Sequence, residues 1–155
     1  MDEGDGVAVD EDAQEAVSVL EAQMADLWRS GRARMRELAR RVHPDLDPAT
    51  YPLLTVLVRH GAQRVSELGG LLELDKSTVS RQVDAAARLG LVQRVLDPTD
   101  ARARLVDLTP LGQGRMTALH AEQLDRWRSS LATWPLADLR RLTGLLQRLA
   151  DSGIA

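Results

Sequence analysis

The sequence predicts a mainly helical protein that contains one small β-hairpin. Apolar residues recur every three or four positions over long segments at both ends of the 155-residue chain, which is the spacing of amphipathic helices. Two short segments, residues 91 to 96 and 104 to 109, instead have a two-residue period, which is typical of strands. Val92, Arg94 and Leu96 alternate with Gln93 and Val95 in the first, and Leu105 and Asp107 alternate with Val106 and Leu108 in the second. Proline, glycine and capping residues separate these segments, so each predicted element has a defined start and end.

The composition excludes several classes of protein. A length of 155 residues, with 44% hydrophobic and 28% charged residues, suits one soluble globular domain. The absence of cysteine excludes disulfides, thiolate metal sites and a cysteine nucleophile. The acidic first twelve residues do not resemble an export signal, and the longest nearly apolar stretch, residues 51 to 58, is too short to cross a bilayer. We therefore expect a cytoplasmic protein.

Charge is distributed unevenly along the chain. Residues 1 to 27 carry nine acidic side chains and no basic one, whereas the remaining residues hold 20 basic and 14 acidic groups, a net charge of +6. Nineteen of the basic residues are Arg, which suits bidentate contacts to phosphate or guanine, although a GC-rich genome produces the same bias. The charge is compatible with a nucleic-acid partner without establishing one.

The first two helices follow from the apolar spacing and from proline. We expect an acidic disordered tail over residues 1 to 11 and then a long helix over residues 13 to 42, which needs a partner surface. The His-Pro pair that follows ends this helix, because the residue before proline is pushed out of the α region. A second helix, capped by Asp47 or Thr50, then runs to Gly61.

Two short helices and a hairpin come next. Ser66 is the predicted N-cap of a third helix, and Asp75 is the predicted N-cap of a fourth over residues 76 to 89, which Gly90 ends. Two short helices joined by about three residues form a helix-turn-helix. The two strands then form a hairpin with its tip at residues 97 to 103. A helix-turn-helix followed directly by a two-stranded hairpin is a winged helix.

The chain ends in two further helices. Thr109 supplies an N-cap and Pro110 the first residue of a long helix that lasts to about residue 132, and a stripe of leucines from residue 136 to 149 marks a last helix. The apolar stripes of the terminal helices exceed what a small winged helix covers alone, so we expect them to form a homodimer. The predicted organisation is a tail over 1–11, an N-terminal dimerisation helix over 12–46, a winged helix-turn-helix over 47–110 and C-terminal dimerisation helices over 111–155.

The fourth helix carries the clearest candidate for nucleic-acid recognition. Val79, Val83 and Ala86 share one face and are expected to pack inwards, so the opposite face is exposed. Hydroxyl side chains at a helix N-terminus allow close approach to phosphates, and Arg and Gln match guanine and adenine edges in the major groove. The candidate DNA-binding residues are Lys76, Ser77, Thr78, Ser80, Arg81 and Gln82. Taken alone, an ordinary solvated helix face explains these residues equally well.

The predicted hairpin tip is a second candidate. Asp100 and Arg102 stand two residues apart at an exposed turn, where the carboxylate would orient the guanidinium toward a narrow minor groove. Arg104 is close enough in sequence to reach a phosphate. A plain surface ion pair, worth about 0 to 1 kcal/mol, is the alternative. A recognition helix and a charged tip in consecutive order are less expected by chance than either one alone.

Residues 53 to 112 carry a series of motifs in a fixed order. They are Leu68, Leu74-Asp75-Lys76-Ser77-Thr78-Val79-Ser80-Arg81, Leu89-Gly90-Leu91-Val92, Asp97-Pro98-Thr99-Asp100-Ala101-Arg102-Ala103 and Leu108-Thr109-Pro110-Leu111-Gly112. This series resembles the MarR family of bacterial transcriptional regulators. The flanking helices extend the resemblance to residues 13 to 150 in pattern only, and Gly69-Gly70 departs from the small helix formers usual at that point.

The resemblance implies an obligate homodimer, made by the first and last helices, that binds pseudo-palindromic DNA and is often released by a small ligand. It also implies that Arg102 inserts into the minor groove and that Asp100 supports it. Ligands in the resembled family lodge between the dimerisation helices and the winged helix. The candidate ligand-binding residues here are Arg32, Met35, Tyr51, Met116 and His120. This mixture suits a small aromatic or phenolic acid, although the same side chains would equally pack the junction.

The sequence offers little support for an enzyme, a cofactor site or a metal site. Gly112-Gln113-Gly114 lacks the third glycine of a dinucleotide fingerprint, and no phosphate-loop or zinc-protease motif occurs, so we expect neither an enzyme nor a cofactor. The separations of His43, His60 and His120 carry no ligand signature, so we expect no metal. The predicted function is a homodimeric, sequence-specific DNA-binding transcriptional regulator, most simply a repressor. The alternative is a winged-helix protein-interaction module without specific DNA binding.

Overall fold

The computed structural model describes residues 11 to 153, apart from the side chain of Ala101. The elements are α1 (Glu11–Val42), a 3-10 helix (Pro48–Thr50), α2 (Tyr51–His60), α3 (Val65–Leu72), α4 (Lys76–Arg88), β1 (Val92–Asp97), β2 (Asp100–Leu108), α5 (Pro110–Leu131) and α6 (Leu136–Asp151). This confirms the predicted fold class, mainly helical with one two-stranded hairpin. Within α5 the chain divides into two compact units, the first ending at Met116 and the second starting at Thr117. The predicted acidic tail lies outside the described residues except for Glu11, which begins α1.

Most helix boundaries coincide with the predicted local signals. The carboxylate of Asp47 accepts the amide of Ala49 at 2.9 Å and starts the 3-10 helix that leads into α2. The hydroxyl of Thr109 accepts the amide of Gly112 at 3.0 Å and starts α5. Gly90 ends α4 with a φ of 70°, a left-handed conformation that favours glycine. Local capping chemistry therefore determines where these helices begin and end.

The third helix begins two residues earlier than predicted. Its N-cap is Arg64, and Ser66, the predicted cap, lies inside the first turn. The carboxylate of Glu67 accepts the backbone N–H of Arg64 at 2.7 Å and so satisfies a donor that the helix itself leaves unpaired. This carboxylate, rather than the hydroxyl of Ser66, determines the start of α3.

The hairpin turn is shorter than predicted. The strands pair antiparallel from Val92↔Leu108 to Leu96↔Arg104, and Asp97 lies opposite Asp100 after a shift in register. The predicted seven-residue tip over residues 97 to 103 is therefore wrong, because residues 100 to 103 belong to β2. The side chain of Asp97 closes the short turn by accepting both the amide and the hydroxyl of Thr99, at 2.8 and 2.6 Å. We refer to this hairpin, residues 92 to 108, as the wing.

The core of the first unit joins the helices to the wing. Its fully buried side chains include Leu53, Leu54, Leu57, Leu68, Val79, Val83, Leu91, Val106 and Met116. Gln63, between α2 and α3, exchanges two backbone hydrogen bonds with Val106 of β2, at 3.0 and 2.8 Å. Arg115 of α5 donates to the carbonyl of Val42 at 2.7 Å, at the C-terminal end of α1. The wing is thus attached to the helices by backbone as well as side-chain contacts.

Large apolar side chains remain exposed on the terminal helices of the single chain. In α1 only Leu38, Ala39 and Val42 are buried, and the preceding turns leave apolar side chains exposed. In the second unit α6 has no buried residue. The exposed large apolar side chains of these helices are Val17, Val19, Leu20, Leu27, Trp28, Leu111, Leu124, Trp127, Leu136, Leu142, Leu145 and Leu146. No helix within residues 11 to 153 combines the length and apolar character needed to cross a membrane.

Candidate nucleic-acid interface

α4 presents the predicted recognition residues around a buried apolar stripe. Val79, Val83 and Ala86 are fully buried, as the periodicity predicts. The six predicted recognition residues divide into the exposed Lys76, Ser77 and Arg81 and the half-buried Thr78, Ser80 and Gln82. The exposed side of α4 therefore combines two cations with a hydroxyl group, whereas the half-buried side chains lie nearer the core.

Asp75 is the N-cap of α4, and its carboxylate accepts hydrogen bonds from the first turn of the helix. It accepts the hydroxyl of Ser77 at 2.5 Å, and it accepts both the amide and the hydroxyl of Thr78, at 2.9 and 2.6 Å. These hydrogen bonds hold the pKa of Asp75 well below its usual range, and the bond from the Ser77 hydroxyl has the largest effect. Both hydroxyl protons are therefore already used within the helix cap. Lys76, which is exposed, is the residue of this turn best suited to donate to a phosphate.

The same hydroxyl network reaches Arg81. One terminal nitrogen of Arg81 donates to the hydroxyl oxygen of Thr78 at 3.1 Å, while Thr78 donates to Asp75. This contact restricts the orientation of an otherwise exposed guanidinium and leaves its other N–H groups available. A guanidinium held in this way loses less conformational entropy when it binds, and its fork matches the two acceptors of guanine.

Gln82 is less available than the sequence predicts. Its side-chain oxygen is shielded from solvent and has no hydrogen-bond donor among residues 11 to 153. A buried acceptor without a partner costs about 1 to 3 kcal/mol. A base edge reaches this oxygen only after the side chain turns outward, so Gln82 is a weaker candidate for base recognition than Arg81.

Two carboxylates and one arginine organise the wing turn. Asp97, with a side chain only 5% exposed, accepts from Arg64 through Nε at 3.0 Å and through a terminal nitrogen at 2.5 Å. Hydrogen bonds from the hydroxyl and amide of Thr99 hold the pKa of Asp97 well below its usual range, and Arg64 lowers it further by a smaller amount. The same terminal nitrogen of Arg64 lies 3.8 Å from the carboxylate of Asp100. Arg64 therefore lies between both acidic residues of the turn.

The structure alters the expected partnership of Asp100 and Arg102. Asp100 accepts the backbone N–H of Arg102 at 3.0 Å, and its other oxygen faces Arg64. Asp100 thus orients Arg102 through the main chain, whereas the sequence predicts a contact with the guanidinium. The side chains of Arg102 and Arg104 are exposed. The wing therefore offers two outward-facing cations from a turn whose acidic groups are engaged with other residues.

A contact also links the wing to α4. A terminal nitrogen of Arg94 on β1 lies 2.8 Å from a carboxylate oxygen of Asp84 on α4. Both side chains are about half exposed, so this ion pair contributes about 0 to 1 kcal/mol at most. The buried strand residues, rather than this pair, provide most of the attachment of the wing to the recognition helix.

The five predicted ligand-binding residues lie in different surroundings. Arg32 and Met35 line an open groove on α1 together with Leu27, Trp28 and Gly31. Tyr51 and Met116 are buried in the core of the first unit, and His120 belongs to the second unit. The structure thus brings Arg32 and Met35 together on one helix surface. Within residues 11 to 153 no three His, Asp or Glu side chains group closely enough to hold a metal ion.

Sequence reasoning missed Arg64 and Gln63. Arg64 donates hydrogen bonds to Asp97, which lies 33 residues further along the chain. Gln63, which belongs to no strand, forms an isolated β-bridge with Val106 of β2. Neither residue belongs to a periodic segment or a motif that the sequence displays. A long-range partnership of this kind has no local signal, and only the folded chain identifies it.

Comparisons with known proteins agree with this architecture. A family model described as MarR family matches residues 45–103. An uncharacterised HTH-type transcriptional regulator of Bacillus subtilis, YxaD, is 32% identical over 136 residues, which cover 88% of this chain and 94% of the relative. The family-model match covers the helix-turn-helix and most of the wing, and the match to the relative extends over most of the chain.

Solved structures show the same fold. A MarR family transcription regulator superposes with a TM-score of 0.77 at 20% identity, covering 94% of this chain and 96% of its own. A probable transcriptional regulator from Pseudomonas aeruginosa is 32% identical, with a TM-score of 0.56 and coverage of 84% of this chain and 98% of its own. The proteins to which this chain is similar are described as transcriptional regulators.

Proposed function

We propose, from the premise that this chain belongs to the MarR family of transcriptional regulators and is not an enzyme, that it is a homodimeric, sequence-specific DNA-binding repressor relieved by a small ligand. The observation that carries the proposal is the pairing of an oriented Arg81 on α4 with an exposed Arg102 on the wing. A regulator of this kind acts where the chromosome lies, so the proposal includes a cytoplasmic location.

DNA recognition in this proposal divides between the two elements. Arg81 reads a guanine edge in the major groove, and Gln82 adds a contact when its amide turns outward. Lys76 binds a phosphate beside the helix N-terminus, while Ser77, Thr78 and Ser80 allow the backbone to approach closely. Arg102 enters the minor groove, and Arg104 binds a neighbouring phosphate.

Dimerisation follows from the apolar faces of the terminal helices. Taken one helix at a time, α1, α5 and α6 each leave several large apolar side chains exposed, and exposed apolar patches mark interaction surfaces on soluble proteins. A second copy that covers these faces would also place two recognition helices on one duplex, which pseudo-palindromic sites require. Light scattering should give a dimer mass at micromolar concentration. A monodisperse monomer would contradict the dimer.

The proposal includes repression of transcription and its relief by a small ligand. A small protein that covers its operator excludes RNA polymerase without further contacts, which favours repression over activation. The groove on α1 with Arg32 and Met35 offers one cation beside apolar walls, which suits a small aromatic acid. Tyr51, Met116 and His120 remain candidate ligand residues because of the family resemblance alone. A ligand releases DNA only if it binds the form that does not bind DNA more tightly.

The ligand is tested on the preformed protein–DNA complex. Simple phenolic carboxylates should lower the DNA affinity of the wild type and should have less effect on Arg32→Ala. Arg34→Ala, a neighbouring exposed arginine of α1, is the matched control and should respond as the wild type does. Release that survives Arg32→Ala unchanged, or no release at all, would contradict this placement of the site.

The function itself is tested by salt dependence. The logarithm of the association constant for random duplex, followed by fluorescence anisotropy, should fall linearly with the logarithm of the salt concentration, with a slope of about −0.9 for each neutralised phosphate. Lys76→Gln should make this slope less negative by about one for each subunit, about two for the dimer, and Arg34→Gln should leave it unchanged. A weak salt dependence that none of these variants alters would instead favour a module that binds a protein partner.

A further inference from the structure

We propose that Arg64 is a positioning residue that holds the wing turn in place and so presents Arg102 to the minor groove. This inference rests on the proposed function, because it assigns to Arg64 the control of one of its DNA contacts. Arg64 lies outside the wing and outside α4, at the junction of α2 and α3. It belongs to none of the motifs that predict DNA binding.

The contacts of Arg64 span the whole turn. Two of its nitrogens donate to Asp97 at 3.0 and 2.5 Å, and one of these nitrogens lies 3.8 Å from Asp100. Asp97 in turn accepts two hydrogen bonds from Thr99, and Asp100 accepts the backbone N–H of Arg102. A continuous chain of contacts therefore runs from Arg64 to the main chain of Arg102.

The neighbouring residue attaches the other end of the same strand. Gln63 exchanges two backbone hydrogen bonds with Val106, four residues along β2 from Arg102. The α2–α3 junction thus holds the wing at two points, the base through Gln63 and the turn through Arg64. Two separated attachments restrict rotation of the hairpin, which one attachment at the base does not.

The charge and burial of its neighbours favour a role for Arg64 in binding the wing rather than in contacting DNA directly. The carboxylate of Asp97 is almost completely shielded from solvent, so it requires a cation and hydrogen-bond donors. The side chain of Arg64 is 39% exposed, and its guanidinium already faces two carboxylates. A phosphate would have to compete with both.

A double-mutant cycle separates positioning from direct contact. Arg64→Gln keeps the backbone N–H that Glu67 accepts but removes the charge and the fork. In the wild-type background it should lower the affinity for a selected site by about fivefold to a hundredfold per half-site, the range of one specific contact. In the Arg102→Ala background the same change should cost less than about twofold, because a contact already absent cannot be lost again.

Two control variants separate a lost charge from a lost position of the turn. Arg34→Gln removes the same charge from α1 and should change the affinity by one small factor in both backgrounds. Arg64→Lys restores the charge without the fork, so it should recover only part of the affinity. Equal losses from Arg64→Gln in both backgrounds would overturn the proposal and make Arg64 a direct phosphate contact or a purely structural residue.

A measurement on the free protein keeps this inference distinct from the proposed function. Amide hydrogen exchange at Thr99 and Arg102, whose N–H groups donate to the two carboxylates, should be faster in Arg64→Gln and unchanged in Arg34→Gln. Unchanged exchange at both amides would overturn the positioning role even if the DNA affinity falls. A wild type that does not bind DNA selectively would overturn the proposed function, while the exchange result would still decide whether Arg64 orders the turn.

Discussion

Gly112 and Gly114, two residues apart in the first turns of α5, test the packing of that helix against the start of the wing. A Cβ added at Gly112 would lie 2.1 Å from the carbonyl oxygen of Leu91, more than 1 Å inside the 3.4 Å at which ordinary contact begins. It would also meet two further backbone atoms of Leu91, at 3.0 and 3.2 Å, so no flexible side chain can move aside. A Cβ at Gly114 meets nothing within 4 Å.

The two alanine variants should therefore change stability in opposite directions. Gly112→Ala forces α5 away from Leu91 and should cost about 3 kcal/mol or more, the upper range of overpacking. Gly114→Ala should gain about 0.5 to 1 kcal/mol, because glycine in a helix interior is less favourable than alanine by that amount.

Urea unfolding at one fixed protein concentration gives both free energies, since the stability of a dimer depends on concentration. A loss below about 1 kcal/mol in Gly112→Ala would refute the argument, because relaxation of an ordinary helix surface costs no more than that.

Four further predictions concern the interface and its charges. Arg81→Ala should weaken binding to a selected site by about 1 to 3 kcal/mol per half-site and relax discrimination at one base position in each half-site, whereas equal weakening on random DNA would make it a backbone contact. Arg102→Ala should lose an affinity that varies with flanking A·T content, and a loss independent of the flanks would contradict minor-groove insertion. The folded-state pKa of Asp97 is lowered, so its contribution to stability is complete above about pH 4 and is lost as the pH falls further. In urea unfolding, Asp97→Asn should be less stable than the wild type at pH 7, with a smaller difference at pH 3; a difference that does not narrow would contradict the pairing. Gln82→Leu should raise the free energy of unfolding by about 1 kcal/mol, because it removes a shielded acceptor that has no donor in the described chain, and a loss of stability would indicate an unrecognised partner.

The elements that local chemistry controls were predictable from the sequence. The cap residues Asp75 and Thr109, the ending glycine at 90 and the apolar stripe of α4 each act within one turn of their own position. The start of α3 was misplaced because the hydrogen bond from the Arg64 backbone N–H to the Glu67 carboxylate replaced the expected hydroxyl cap. Such errors arise where two neighbouring capping arrangements compete.

The candidate site was predictable in residue identity but not in partnership. The sequence identifies exposed cations such as Arg81 and Arg102, yet it does not show that Thr78 holds the first or that Asp100 holds the second through its main chain. The contact of Arg64 with Asp97 joins residues 33 positions apart, which no periodicity encodes. Which hydrogen bonds a polar side chain makes depends on the folded neighbourhood rather than on sequence spacing.

Selection from a pool of random duplexes tests the central claim most directly, that two recognition helices of one homodimer read two half-sites. The wild-type protein should enrich an inverted repeat whose half-site centres are separated by about 10 base pairs or a multiple of that distance. Arg81→Ala should retain the spacing and lose preference at one position in each half-site. Enrichment of no sequence, or of a single half-site without a symmetric partner, would contradict the account.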